Sequence, residues 1–191
     1  IVDAAAKAGT NAIKLQTYTA DTMKLKGALT MKDENSLWNG RELYDLYEEA
    51  HTPWKWHHPM FNRAMSLGLI AFSTPFDETA VDFLETLNVP AYKIASFEIT
   101  DIPLIEYVAS KGKPLIIATG IAQMKDMQTA IDACRRMGNK EIALLKCTSN
   151  YPAPIEEANL VMIKDISERF GVLSGLSDHT MGITAPVVAT V

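Results

Sequence analysis

The stretch Val172-Leu173-Ser174-Gly175-Leu176-Ser177-Asp178-His179-Thr180 passes from a strand-like apolar run straight into a cluster of polar side chains. A strand buried in a parallel sheet commits its length to the core, so exposed chemical groups gather at its carboxyl end. On that reading Ser177, Asp178 and His179 are site residues. The other reading is that Asp178 or Ser177 caps a following helix over residues 182–190. The remaining strand ends decide between them.

Apolar runs at residues 12–15, 69–72, 92–95, 115–118 and 142–145 precede the run at 172–176, with helical patterns between them. Residues 79–87 place Val81, Phe83, Leu84 and Leu87 on one face, and residues 124–137 repeat Met127, Ala130, Ile131, Cys134 and Met137 at helical spacing. Such βα repetition with right-handed crossovers gives either an open doubly wound sheet or an eight-stranded barrel. No G-x-G-x-x-G follows the first strand, and polar residues close nearly every strand instead of one switch point. The expected fold is therefore α/β, a TIM (β/α)8 barrel, incomplete here with its first and last strands missing. Residues 1–191 would be the central part of that barrel domain. Ile1 opens what reads as the second half of a helix closed by Gly9, and the last helical pattern stops without a cap, so a fragment of a longer protein is expected.

Length, a formal net charge of −5 and 48% hydrophobic residues suit one ordinary globular domain or most of a larger one. The mildly acidic balance without a Lys/Arg block argues against nucleic acid as a partner, and no apolar run approaches a membrane span. Cys134 and Cys147 lack CxxC spacing, so reduced thiols and a cytoplasmic location are expected.

The strand ends form one series. Lys14, Gln16 and Thr17 close the first, Ser73 and Thr74 the second; Lys93, Ser96 and Glu98 lie on and just past the third. Thr119 and Gly120 end the fourth, Lys146, Thr148, Ser149 and Tyr151 the fifth, and Ser177 to His179 the sixth. A barrel would gather them at one mouth. Lys14 and Lys93 sit in apolar strands, where an ammonium needs an anionic partner. That partner is either a bound phosphate or carboxylate, with the hydroxyls as further donors, or an internal acid, Glu98 or Asp178. No P-loop is present. His179 fits a metal ligand, a general base or a structural histidine. His51, His57 and His58 read as a solvated helix entrance, and Trp38, Trp54 and Trp56 as packing under a long loop.

Five ordered motifs resemble the sialic acid synthases: Ile13-Lys14-Leu15-Gln16-Thr17, Phe72-Ser73-Thr74-Pro75-Phe76, Tyr92-Lys93-Ile94-Ala95-Ser96, Lys146-Cys147-Thr148-Ser149 with Tyr151-Pro152, and Gly175-Leu176-Ser177-Asp178-His179-Thr180. Residues 16–22, 34–38, 43–47 and 52–56 look most like the pseudaminic acid branch. The resemblance implies condensation of phosphoenolpyruvate with an open-chain N-acetylated amino sugar, here 2,4-diacetamido-2,4,6-trideoxy-altropyranose, to a nonulosonic acid and phosphate. It implies that Lys14, Thr74, Lys93, Ser96, Ser149 and Ser177 hold phosphoenolpyruvate and that Asn35 and Tyr151 touch the sugar. Glu98 and His179 would act in catalysis, with His179 on a divalent metal, manganese or magnesium.

The resemblance further implies a second metal-binding histidine on an eighth strand beyond residue 191, and a C-terminal antifreeze-like domain that completes the active site of a domain-swapped homodimer. A barrel without its end strands leaves two apolar edges, so the isolated chain is expected to be poorly soluble or nearly inactive. Other readings are an N-acetylneuraminate or legionaminate synthase, an aldolase with Lys93 or Lys146 as Schiff-base nucleophile, and a non-catalytic sugar- or phosphate-binding barrel.

Overall fold

A computed structural model describes residues 1–32, 34 and 38–190. The chain divides into two compact units, Ile1–Val89 and Pro90–Val191. In the first, α1 (Val2–Lys7) leads into β1 (Ala12–Thr17). The long connection after β1 carries α2 (Ala20–Met23) and α3 (Leu43–Ala50), and α4 (Trp54–Ser66), β2 (Ile70–Pro75) and α5 (Glu78–Thr86) follow. Strands β1 and β2 are parallel, in register from Ala12 opposite Ile70 to Thr17 opposite Pro75. Asp77 starts α5 by accepting the Thr79 and Ala80 N–H groups, which leaves Ala80, Val81 and Leu84 to enter the core.

The second unit runs β3 (Tyr92–Ile94), a 3-10 turn (Phe97–Thr100), α6 (Ile102–Ala109), β4 (Leu115–Ala118), α7 (Met124–Arg136), β5 (Ile142–Cys147), a 3-10 turn (Ile155–Glu157), α8 (Val161–Phe170), β6 (Leu173–Ser177) and α9 (Thr184–Val188). Strand β3 pairs with β4, β4 with β5 and β5 with β6, all parallel and each beside its sequence neighbour. Tyr92, Ile94, Leu115, Ile117 and Leu144, which share one face of the sheet, are fully buried, whereas Lys93, Ile116, Ala143 and Leu145 on the other face are partly exposed. The α/β class and the six strands agree with the expectation from sequence.

The boundaries differ in ways that matter. Strands β1, β2 and β5 extend two or three residues beyond their apolar runs, so Gln16, Thr17, Ser73, Thr74, Lys146 and Cys147 lie within strands, their faces fixed by the pleat. Strand β6 departs from a fully buried strand: Leu173 is 76% exposed, because β5 is its one partner among the described residues. Met137 also leaves the expected apolar face and is exposed, since α7 ends at Arg136. No helix among the described residues is long and apolar enough to cross a membrane.

Candidate active site

In the second unit the carboxyl ends of β3 to β6 converge on Cys147. Its Sγ receives a hydrogen bond from Ser96 Oγ at 3.4 Å, and lies 4.0 Å from Ser149 Oγ and 3.9 Å from His179 Nδ1. Ser177 stands opposite Cys147 in the β5–β6 register. The Gly120 N–H donates to Ser96 Oγ at 3.2 Å. A Cβ on Gly120 would lie 2.0 Å from Ser149 Oγ and 2.8 Å from Ser96 Oγ, so a side chain there would displace both hydroxyls.

Lys93 belongs to the same cluster. Burial holds its ammonium pKa below the usual lysine range, and the Cys147 sulfur offsets this in part. Among the described residues neither Glu98 nor Asp178 forms an ion pair with Lys93, so the internal-partner reading fails for this lysine. Lys146 is one residue from Cys147 and so points to the other face of β5. There its Nζ donates to the Cys147 carbonyl and to Thr148 Oγ1, each at 3.0 Å, and Thr148 in turn donates to the Glu157 carbonyl. That removes Lys146 from the Cys147 face.

Glu98 follows Ser96 on the 3-10 turn. Its Oε2 is buried without a hydrogen-bond partner, and burial, with the nearby Asp101 charge, pushes its carboxyl above the usual range. His179 is oriented by its Nδ1, 3.1 Å from the Thr148 carbonyl. That contact favours the Nδ1–H tautomer and leaves the Nε2 lone pair available. The Tyr151 ring lies 4.2 Å from the imidazole, centroid to centroid, and the His179 carbonyl accepts the Ala153 N–H at 2.8 Å. Asp178 accepts the Thr180 N–H at 3.0 Å, a local turn, and no side chain caps α9. The strand-end cluster is thus a turn that presents His179. One imidazole with a free Nε2 suits a divalent cation, but no three His, Cys, Asp or Glu side chains among the described residues converge on such an ion.

Lys14 and Thr74 belong to the first unit. Alternation puts Lys14, Gln16 and Thr74 on one face of the β1–β2 pair and Thr17 and Ser73 on the other. Thr74 Oγ1 is buried without a hydrogen-bond partner. Asn35 lies outside the described residues.

His57 corrects the sequence reading. It is completely buried, not solvated: Nε2 is 2.8 Å from Thr17 Oγ1, which is 2.7 Å from Ser73 Oγ. Its neighbour His58 faces solvent and meets Asn62, as the helical geometry of adjacent residues requires. Trp54 packs as expected, stacked on Phe83 at 4.7 Å, whereas Trp56 is exposed. Trp38 is half exposed and, with Tyr18, Met31, Arg41 and Tyr47, lines a pocket of about 420 Å³ in the first unit. A larger cleft, about 730 Å³, lies at the amino ends of β4 to β6, away from these polar groups. Gly120 and Cys147 were not among the expected ligands. The signal for Gly120 is a glycine directly after a strand end; Cys147 shows no signal beyond its place between Lys146 and Thr148.

The NeuB family profile matches residues 1–191. A pseudaminic acid synthase of Helicobacter pylori is 47% identical over 188 residues, covering 96% of this chain and 54% of that protein. An N,N'-diacetyllegionaminic acid synthase of Legionella pneumophila is 37% identical over 194 residues, covering 99% and 54%. The chain spans about half the length of these relatives. The crystal structure of an N-acetylneuraminic acid (sialic acid) synthetase from Leptospira borgpetersenii, in complex with citrate, superposes with a TM-score of 0.85 at 30% identity, covering 98% of this chain and 61% of that one. The fold class is accordingly that of an incomplete (β/α)8 barrel.

Proposed function

The chain belongs to the NeuB family, and from that membership we propose that the protein is a nonulosonic acid synthase that condenses phosphoenolpyruvate with an N-acetylated amino sugar. The observation that supports this most is Lys93. A half-buried ammonium with no acidic partner among the described residues, beside the Ser96 and Ser149 hydroxyls and the Gly120 N–H, is suited to a phosphorylated acid. Lys14, Thr74, Lys93, Ser96, Ser149 and Ser177 are the proposed ligands of phosphoenolpyruvate, and Tyr151 and Asn35 those of the sugar.

In the proposed reaction C3 of phosphoenolpyruvate attacks the aldehyde carbon of the open-chain sugar, leaving oxocarbenium character at C2. Water adds at C2, and the tetrahedral intermediate expels phosphate with cleavage of the C2–O bond. The ammonium and hydroxyl groups would hold the phosphate as its charge changes. Glu98, whose carboxyl pKa is held above the usual range by burial, is the proposed carrier of the proton that the sugar oxygen needs. His179 Nε2 is the proposed ligand for manganese or magnesium, which when bound would supply Lewis-acid polarisation of the aldehyde.

The sugar proposed is 2,4-diacetamido-2,4,6-trideoxy-altropyranose, on the strength of the 47% identity to a pseudaminic acid synthase. The test is phosphate release by the full-length protein with phosphoenolpyruvate and manganese, against that sugar, N-acetylmannosamine and the legionaminate precursor. Release with the first alone is expected; preference for either other sugar overturns the assignment. The lowered pKa of Lys93 also suits a Schiff-base aldolase, which borohydride trapping with pyruvate would expose.

A further inference from the structure

The buried relay of His57, Thr17 and Ser73 lies on the helix side of the β1 and β2 ends, on the face opposite Lys14 and Thr74. His57 and Trp54 both come from the first turns of α4, and both grip the carboxyl end of β1. His57 meets the Thr17 hydroxyl, and the Trp54 indole N–H donates to the Tyr18 carbonyl at 3.3 Å. Ser73 extends the hold to β2 through the 2.7 Å contact with Thr17. The imidazole packs between Phe61 and Phe83, with ring centroids at 6.0 and 5.4 Å, and burial holds its pKa below the usual imidazole value. Thr17, Ser73 and His57 have no exposed surface at all.

Such a network is a poor choice for stability alone. Each buried polar atom gives up water, and aliphatic side chains of similar volume would fill the same space without that cost. What directional bonds add is a fixed geometry. Thr17 and Ser73 each adjoin a residue of the opposite face: Gln16 on β1 and Thr74 on β2, with Lys14 one pleat earlier. Pro75, which ends β2 opposite Thr17, brings no N–H of its own to the hold.

We propose that His57 is a positioning residue: through the Thr17 and Ser73 hydroxyls it fixes the pleat of β1 and β2, so that Lys14 and Thr74 meet the phosphoenolpyruvate anion in register. This rests on the reading of Lys14 and Thr74 as ligands of that anion. It does not make His57 a catalytic residue, since its ring lies on the helix side of the strands.

The test uses the full-length protein with Thr17→Val, which keeps the shape and removes the hub hydroxyl, Ser73→Ala, which removes only the outer one, and Thr17→Ser, which restores the bonds. Thr17→Val and Ser73→Ala should raise the KM for phosphoenolpyruvate about tenfold and leave the KM for the sugar unchanged, with some loss of Tm from the polar atoms left unpaired, and Thr17→Ser should stay close to wild type. Ser73→Ala, the smaller change, keeps the test decisive should Thr17→Val not fold. Unchanged KM for phosphoenolpyruvate, or both KM values rising together, would mean that the relay is only structural. A wild-type protein without phosphoenolpyruvate-dependent turnover would overturn the reading of the site itself, and this role with it.

Discussion

Gly120 is the residue on which the hydroxyl pocket of the second unit turns. Its backbone N–H supports Ser96, and the space a methyl group would need is already held by Ser149 Oγ, 2.0 Å from the would-be Cβ. Gly120→Ala should weaken phosphoenolpyruvate binding about tenfold or more by forcing both hydroxyls aside, at a stability cost of about 1–3 kcal/mol. An unchanged KM for phosphoenolpyruvate would take Gly120 and its two serines out of the anion site. Glu98 gives a prediction with a pH signature. Its folded pKa is raised above the unfolded value by burial, so the folded state binds the proton more tightly. Its contribution to stability is then present below the unfolded pKa and is lost as pH rises through the folded one. Glu98→Gln should therefore melt higher than wild type by a margin that grows as pH rises above about 4, the unfolded value, while turnover falls about a hundredfold or more. A pH-independent difference in Tm would mean that the carboxyl is not held in a desolvated site. The sequence displayed Lys93, Ser96, Ser149 and His179 because ligand-type residues at successive strand ends form a visible series. It hid His57, whose partner Thr17 lies 40 residues away in the chain and reaches Ser73 in turn, so that only tertiary burial separates it from its solvated neighbour His58.

At the scale of elements, the strand ends are held by whatever follows them. The turn after β6 presents His179, the Thr148 carbonyl after β5 sets its tautomer, and the Asp77 cap determines where the chain leaves β2 and enters α5. Asp77→Ala removes an acceptor shared by the Thr79 and Ala80 N–H groups and the Thr79 hydroxyl. The expected cost is about 1 kcal/mol of stability, measured as a lower denaturant midpoint with unchanged slope. No loss would mean that water satisfies the first turn of α5 as well as the carboxylate does. The helices and strands themselves were legible from periodicity, because each buries one regular face. The strand ends were not, since polar residues such as Thr17 and Ser73 break the apolar run while the ladder continues beneath them. The exposure of β6 was equally invisible, because its apolar residues read as buried whether or not a second neighbour is present.

For the molecule as a whole, family membership and the α/β class fix what kind of protein carries these residues, and the proposed chemistry goes further. It states that water adds at C2 once C3 of phosphoenolpyruvate has attacked the aldehyde, and that the C2–O bond to phosphate then breaks. Phosphoenolpyruvate labelled with oxygen-18 in the bridging position between C2 and phosphorus reports this directly. The full-length protein, given that substrate, manganese and the diacetamido sugar, should release phosphate that carries the label, in amounts equal to the nonulosonic acid formed. Unlabelled phosphate, or product formed without phosphate release, would contradict the account.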